Sequence, residues 1–349
     1  MKAAWYRWNI DRMRRLLILR TACLVAAFAV LWPFLLLGDA QAWGFYGHRR
    51  INRMAVFTLP PAMFGFYKRH IDYVTDHATD PDSRRYAVQG EAPRHFIDID
   101  HYVEPGMDPF QAVPQDWDLA VQKFTEDTLQ AYGIVPWYIP VEYRRLVSAF
   151  KRGDVDRILY YSAEIGHYIA DAHVPLHTTE NYNGQLTGQH GIHAFWESRI
   201  PETSAEQYDH FTGRARYIND PRQAAWSYVV ASHAALDTVF GMERELQQRF
   251  PEHAKYTFEQ RGRNTVQMQS KEFIQAYESA MGGMVERRMN ASIIAVGSFW
   301  YSAWVDAGQP DLDRLEQKEV SDSLKQVLKA EEEQWKASQK QLGRPEPNE

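Results

Sequence analysis

The sequence predicts a mainly α-helical protein built as one multi-helix domain. Apolar residues recur at three- and four-residue intervals through most of the chain, and no alternation of strand and helix patterns interrupts them. His and carboxylate side chains also recur four apart, at His167/Asp171 and again at His193/Glu197. On a helix that spacing puts both groups on one face, one turn apart.

The first 42 residues read as an export signal. Lys2, Arg7, Arg12, Arg14, Arg15 and Arg20 face only Asp11, an apolar run follows from Thr21 to Leu37, and Ala40-Gln41-Ala42 has the small-residue pattern of a cleavage site. A retained membrane anchor is the alternative. The single cysteine, Cys23, lies in this segment, so a chain cut after Ala42 carries no thiol and no disulfide. Cleavage there makes Trp43 the new N-terminus, where its amine and carbonyl can chelate, with His48 five residues on. The cut removes six of 39 basic and two of 45 acidic side chains, leaving a formal charge of −10 over 307 residues. Such a balance disfavours non-specific binding to phosphate backbones.

The elements follow in order. Arg49 to about Phe57 has helical periodicity and is stopped by Pro60-Pro61. Met63 to Thr75 predicts a second helix. Asp76 to Arg85 reads as a carboxylate-dense loop, which Asx-Pro turns alone would explain. Pro93 to His101 partly alternates apolar and polar residues, as a short extended segment does, and could also feed ligands to a site. Gly106 to Asp116 is a loop. Trp117 to Tyr132 is an amphipathic helix, Ile134 to Pro140 an aromatic connection bounded by proline, and Glu142 to Lys151 a helix. Gly153-Asp154 stops that helix and caps the next, which carries His167 and Asp171. Ala224 to Arg249 and Phe258 to Trp304 read as helical, with a Gly282-Gly283 interruption in the second. The organisation expected is a signal peptide over 1–42, a catalytic domain over 43–308 and a charged, solvated helical tail over 309–349.

The stretch from His167 to Glu197 carries the chemistry. One His-x-x-x-Asp pair is commonly a hydrogen-bonded pair and nothing more. Two within about thirty residues, on apolar helices and with His177 just after a proline, point to metal, because buried ionisable groups need partners or ions. Imidazole with carboxylate suits zinc, and the donors outnumber what one tetrahedral ion can use.

In order, Trp43, His48, Asp80, His95, His167, Asp171, His177, His193 and Glu197 resemble the superfamily of bacterial zinc-dependent phospholipase C and the fungal and plant single-strand zinc nucleases. The resemblance spans roughly residues 43 to 305. It implies an α-helical domain with three zinc ions per chain in a cleft. One ion would be held by Asp80, His95, His167 and Asp171, with Asp82 the fallback if the loop is shifted. The second would be held by His177, His193 and Glu197. The third would take the Trp43 amine and carbonyl, His48 and a shared oxygen of Asp171.

The same resemblance implies hydrolysis of a phosphodiester, with Asp80 orienting the attacking water or accepting its proton. Glu197 matches the phospholipase branch; the five-residue step from Trp43 to His48 matches the nuclease branch. The expectation is an exported enzyme, periplasmic or secreted, acting as a phospholipase C on phospholipid. It would need no obligate protein partner and would touch a membrane surface transiently. The alternative is a single-strand nuclease or 3′-nucleotidase with the same metals, and a third class is a metal-dependent binding protein without activity. Arg84, near the Asp80 position, falls out of strict register with the nucleases' arginine. The Asn181–Gly184 loop reads equally as a substrate contact or a surface turn. His77, His101 and His190 are read as ordinary polar histidines, and His173 as packing beside the site.

Overall fold

A computed structural model describes residues 44–261 and 264–315, with positions 326, 329, 330 and 333 beyond them. The signal segment, Trp43 and most of the tail lie outside the described residues. The principal helices are α1 Gly44–Ala55, α2 Pro61–Arg69, α3 Ile71–Asp76, α4 Asp80–Arg84, α5 Trp117–Phe124, α6 Glu126–Tyr132, α7 Val135–Arg152, α8 Val155–Ala172, α9 Pro221–His233 and α10 Leu236–Arg249. A hairpin of β1 Tyr256–Arg261 and β2 Asn264–Gln269 precedes α11 Lys271–Ala280 and α12 Met284–Asp306. The described chain is mainly α.

The core is organised around α8. Gly153 ends α7 in the left-handed conformation (φ 62°), and Asp154 caps α8 by accepting a hydrogen bond from Arg157 N at 3.1 Å. The two helices therefore lie side by side as an antiparallel pair. Ile158, Leu159, Ile165 and Ile169 of α8 are buried against α7, α12 and α1. Asn52 of α1 reaches over Gly166 and donates from Nδ2 to Val74 O (3.1 Å) and Ala163 O (3.2 Å). A Cβ at Gly166 would stand 2.1 Å from Asn52 Oδ1, so glycine is what lets α1 approach α8 this closely. On another side of α8, Trp300 of α12 donates to Ser162 O at 2.9 Å and stacks on Tyr67 with ring centres 4.8 Å apart.

Several boundaries differ from the sequence reading. Ile134 to Pro140 is no connection: Pro136 sits in the first turn of α7, where its missing N–H is no loss, and Pro140 is accommodated inside the helix because Trp137, Tyr138 and Ile139 are buried. The helix expected over Trp117–Tyr132 breaks at Thr125 (φ 71°), whose hydroxyl caps α6. The Met63–Thr75 helix is likewise divided at His70. The Asp76–Arg85 loop is the 3-10 turn His77–Thr79 followed by α4. Pro93 to His101 holds two 3-10 turns, Ala92–His95 and Ile99–Tyr102, about a short extended link.

The largest departure is the hairpin, where Phe258 to Trp304 read as helix. Tyr256 pairs with Gln269 and Arg261 with Asn264 in an antiparallel ladder. Thr257, Val266 and the aromatics favour a pleated backbone, and Arg199 anchors the ladder through Glu259 (2.9 Å) and Gln269 O (3.0 Å). The Ala224–Arg249 helix is divided between α9 and α10. Near the start of the expected tail, Leu312 is buried and Asp313 meets Arg69 of α2 at 3.2 Å. Among the described residues no helix is long and apolar enough to cross a membrane.

Candidate metal centre

Six segments bring their polar side chains to one buried place. α1 supplies His48, α4 supplies Asp82, the turn Ala92–His95 supplies His95, and α8 supplies His167 and Asp171 one turn apart. Val174-Pro175 turns the chain at the end of α8, and the short 3-10 helix Pro175–Thr178 brings in His177. Ile192–Ala194 begins a helix that continues through a π-helical turn, Phe195–Arg199, and carries His193 and Glu197.

Asp171 is the hub. Its Oδ2 lies 2.9 Å from His95 Nδ1 and 3.1 Å from His167 Nε2; its Oδ1 lies 3.4 Å from His48 Nε2 and 3.5 Å from His177 Nδ1. Beside it, Glu197 Oε2 lies 3.0 Å from His193 Nε2 and 3.3 Å from His177 Nε2. The His48 and His167 rings stack 3.9 Å apart. Three sets of donors converge within 4.8 Å: His48, His167 and Asp171; Asp82, His95 and His167; His177, His193 and Glu197.

The rings are oriented from behind. His167 Nδ1 donates to Ala78 O and His177 Nδ1 to His95 O, both at 2.8 Å. Placing the proton on Nδ1 leaves Nε2 as the lone-pair nitrogen, the tautomer a metal ligand needs. Burial lowers the His177 imidazole to about 4 against the pull of Asp171 and Glu197. Burial alone would raise the Asp171 carboxyl, but His167 and His177 beside it hold it well below the usual carboxylate range. Both oxygens of Asp82 are buried and accept no hydrogen bond from the described residues. A buried carboxylate that accepts no hydrogen bond is costly, and imidazoles converging with carboxylates are a donor set of the kind zinc takes.

One residue expected as a ligand lies apart from these donor groups. Asp80 does not join the cluster; its side chain is 39% exposed and bonds His77 Nδ1 at 2.6 Å. Asp82 takes that place, 3.6 Å from both His95 Nδ1 and His167 Nε2 and 3.9 Å from His48 Nε2. Both residues lie in the single turn α4, where two positions apart means nearly opposite sides of the helix. His48, His95, His167, Asp171, His177, His193 and Glu197 are brought together, whereas Trp43 lies outside the described residues.

Around the cluster, His173 faces away, donating to Ile169 O at 2.7 Å and packing on Tyr228. His101 stacks on Tyr132 and meets Glu180, and His190 is exposed. In the Asn181–Gly184 loop, Asn181 Oδ1 accepts from Leu186 N at 2.8 Å, Asn183 Oδ1 accepts from Gly191 N at 2.9 Å, and the Tyr182 ring stands edge-on to His193 with centres 6.0 Å apart.

Sequence reasoning missed the charges behind His95. Arg84 Nε donates to Glu91 (3.0 Å), Nη1 to Glu164 (3.0 Å), and Arg94 also reaches Glu91 (2.9 Å). Arg85 lies 3.7 Å from Asp82. Burial alone would raise the Glu91 carboxyl, but Arg84 and Arg94 together hold it below the usual range. A signal existed: Glu91 stands four residues before His95, the spacing that marked the other pairs.

No family model and no curated protein matches the chain. Among solved structures, the chain is similar to an alpha toxin from Clostridium absonum at 12% identity and a TM-score of 0.43, covering 82% of this chain and 67% of that one. It is similar to a Clostridium perfringens alpha-toxin from avian strain SWCP at the same identity and TM-score, covering 78% of this chain and 66% of that one. At that level of likeness neither structure assigns a residue, an ion or a substrate to this chain.

Proposed function

We propose that this chain is an exported zinc phosphodiesterase that acts as a phospholipase C. The observation that carries the reading is the convergence of three donor sets on one buried place, two of them joined at His167 and Asp171 bordering both His48 and His177. Three ions would then be held by Asp82, His95, His167 and Asp171; by His177, His193 and Glu197; and by His48 with Asp171 and the new N-terminus at Trp43. Zinc so held acidifies water and neutralises charge on phosphoryl oxygens.

The chain's own residues do the positioning. Ala78 O and His95 O fix the His167 and His177 rings, so little reorganisation accompanies the reaction. Asp82 takes the part expected of Asp80: its carboxylate both faces the histidines and has oxygens free to accept a proton from the attacking water. The phospholipid substrate is supported by Glu197 in the position where the resembling phospholipases carry Glu, and by the acidic balance of the chain.

The test is zinc content and hydrolysis measured on the same purified sample. Phosphatidylcholine vesicles and single-stranded DNA or RNA serve as substrates, for wild type and His167→Ala. Lipid cleavage with bound zinc, both lost in the variant, is the expected result. Cleavage of nucleic acid alone would move the chain to the nuclease reading, and unchanged activity in His167→Ala would refute the metal-centre mechanism.

A further inference from the structure

His95 differs from His167 and His177 in what stands behind it. Its Nδ1 faces inward to Asp171, Asp82 and the His167 ring, leaving Nε2 on the outer side. For His167 and His177 the outer nitrogen is held by a backbone carbonyl. Behind His95 there is a charged side chain: Glu91 Oε1, 3.6 Å from Nε2, about 0.5 Å beyond a good hydrogen bond.

Glu91 is itself clamped. Arg84 and Arg94 donate to its Oε2, and the Tyr168 hydroxyl donates to its Oε1. Arg84 is gripped in turn by Glu164 through both terminal nitrogens. Glu91, Glu164, Arg84 and Tyr168 are all buried. Two arginines face two glutamates here, and a buried ionisable cluster is seldom a better brace than apolar packing, which this core has in plenty. The cluster is distinguished by where it ends, on the outer nitrogen of a metal-facing ring.

We propose that Glu91 is a positioning residue: its carboxylate, clamped by Arg84, Arg94 and Tyr168, accepts the His95 Nε2–H and keeps Nδ1 aimed at Asp82, Asp171 and His167. This rests on the metal-centre reading above. A carboxylate behind a ligating imidazole fixes its tautomer and raises its basicity, and losing one weakens metal binding by about 10- to 100-fold.

The experiment uses the full chain, stripped of metal and titrated with Zn2+ against a competing chelator. Wild type is compared with Glu91→Gln, and melting of the metal-free forms is followed alongside. The expected result is a loss of roughly 10- to 100-fold in affinity for one zinc, with the other steps unchanged and the His95 ring nitrogen signals altered in the 15N spectrum. If Glu91→Gln does not fold, Glu91→Asp keeps the charge and withdraws the carboxylate by one methylene, and the same selective weakening is expected. Wild-type affinity at every step, with only a lower melting temperature, would show a structural brace and overturn the proposal. Wild type that binds zinc but cleaves no phosphodiester would sink the functional reading and leave this one standing. Wild type that binds no zinc would sink both.

Discussion

Asp80 and Asp82 offer a sharp test, because both were open to the same role and the structure separates them by about half a helical turn. The perturbation is Asp82→Asn against Asp80→Asn. The Asp82 side chain is 3% exposed and 3.6 Å from two imidazole nitrogens of the cluster. A unit charge at that distance is worth about 4–5 kcal/mol at an effective dielectric constant of about 20. Removing it should therefore weaken zinc binding roughly a thousandfold. Asp80 contributes a half-exposed pair with His77, worth at most about 1 kcal/mol of stability, and its variant should bind zinc as wild type does. At pH 8 the metal-free Asp82→Asn protein should also melt lower, because the substitution takes the carboxylate away from the buried Arg85 guanidinium 3.7 Å from it. The assay is chelator-competition titration paired with thermal melting. Loss of zinc affinity in Asp80→Asn, or wild-type affinity in Asp82→Asn, would refute the assignment.

Three further outcomes follow. Gly166→Ala forces a Cβ to within 2.1 Å of Asn52 Oδ1; overpacking and disturbed buried hydrogen bonds should cost about 3 kcal/mol, or roughly 6–12 °C in melting temperature, and a shift under 1 °C would contradict the close approach of α1 and α8. His77 is raised above its usual 6.5 by its hydrogen bond to Asp80, burial opposing. A raised histidine stabilises fully below pH 6.5 and loses that contribution as pH climbs through the folded-state value. NMR titration should thus place the His77 midpoint above 6.5 and bring it down in Asp80→Asn; a wild-type midpoint at or below 6.5 would be inconsistent with the pair. Arg199→Ala removes the hairpin's anchor to Glu259 and Gln269 O, so limited proteolysis should cut within 256–269 faster than in wild type. An unchanged cleavage rate would show that the ladder holds without it.

Much of the centre was legible because four-residue spacing survives translation into space. His167 with Asp171 and His193 with Glu197 each remain neighbours, at 3.1 and 3.0 Å. The choice between Asp80 and Asp82 was not legible, since it depends on the rotation of a five-residue helix set by contacts far along the chain. Proline misled at Ile134–Pro140, where Pro136 opens a helix. The hairpin was overlooked because Thr257 to Gln269 lies before a long helical pattern that absorbed it. Glu91 and Glu164 escaped notice for a different reason: charged residues usually face solvent, and only the packing shows that these two are enclosed with Arg84.

The π-helical turn Phe195–Arg199 has a genetic consequence. Such a turn holds about one residue more than an α-helical turn. An in-frame loss of a single codon there would let the backbone relax to a regular α-helix, and the polypeptide would still look helical to circular dichroism. Because the turn gives up only its extra residue, the helix on either side would keep nearly the same phase, and the change would fall on the side chains within the turn. His193 lies before the turn, Glu197 within it and the buried Ile200 beyond it. A shortened reading frame could keep Ile200 packed while leaving Glu197 three residues from His193 instead of four. Of all the places in the gene where three nucleotides can be lost, this is one where a change invisible in secondary structure would separate a folded chain from a competent one.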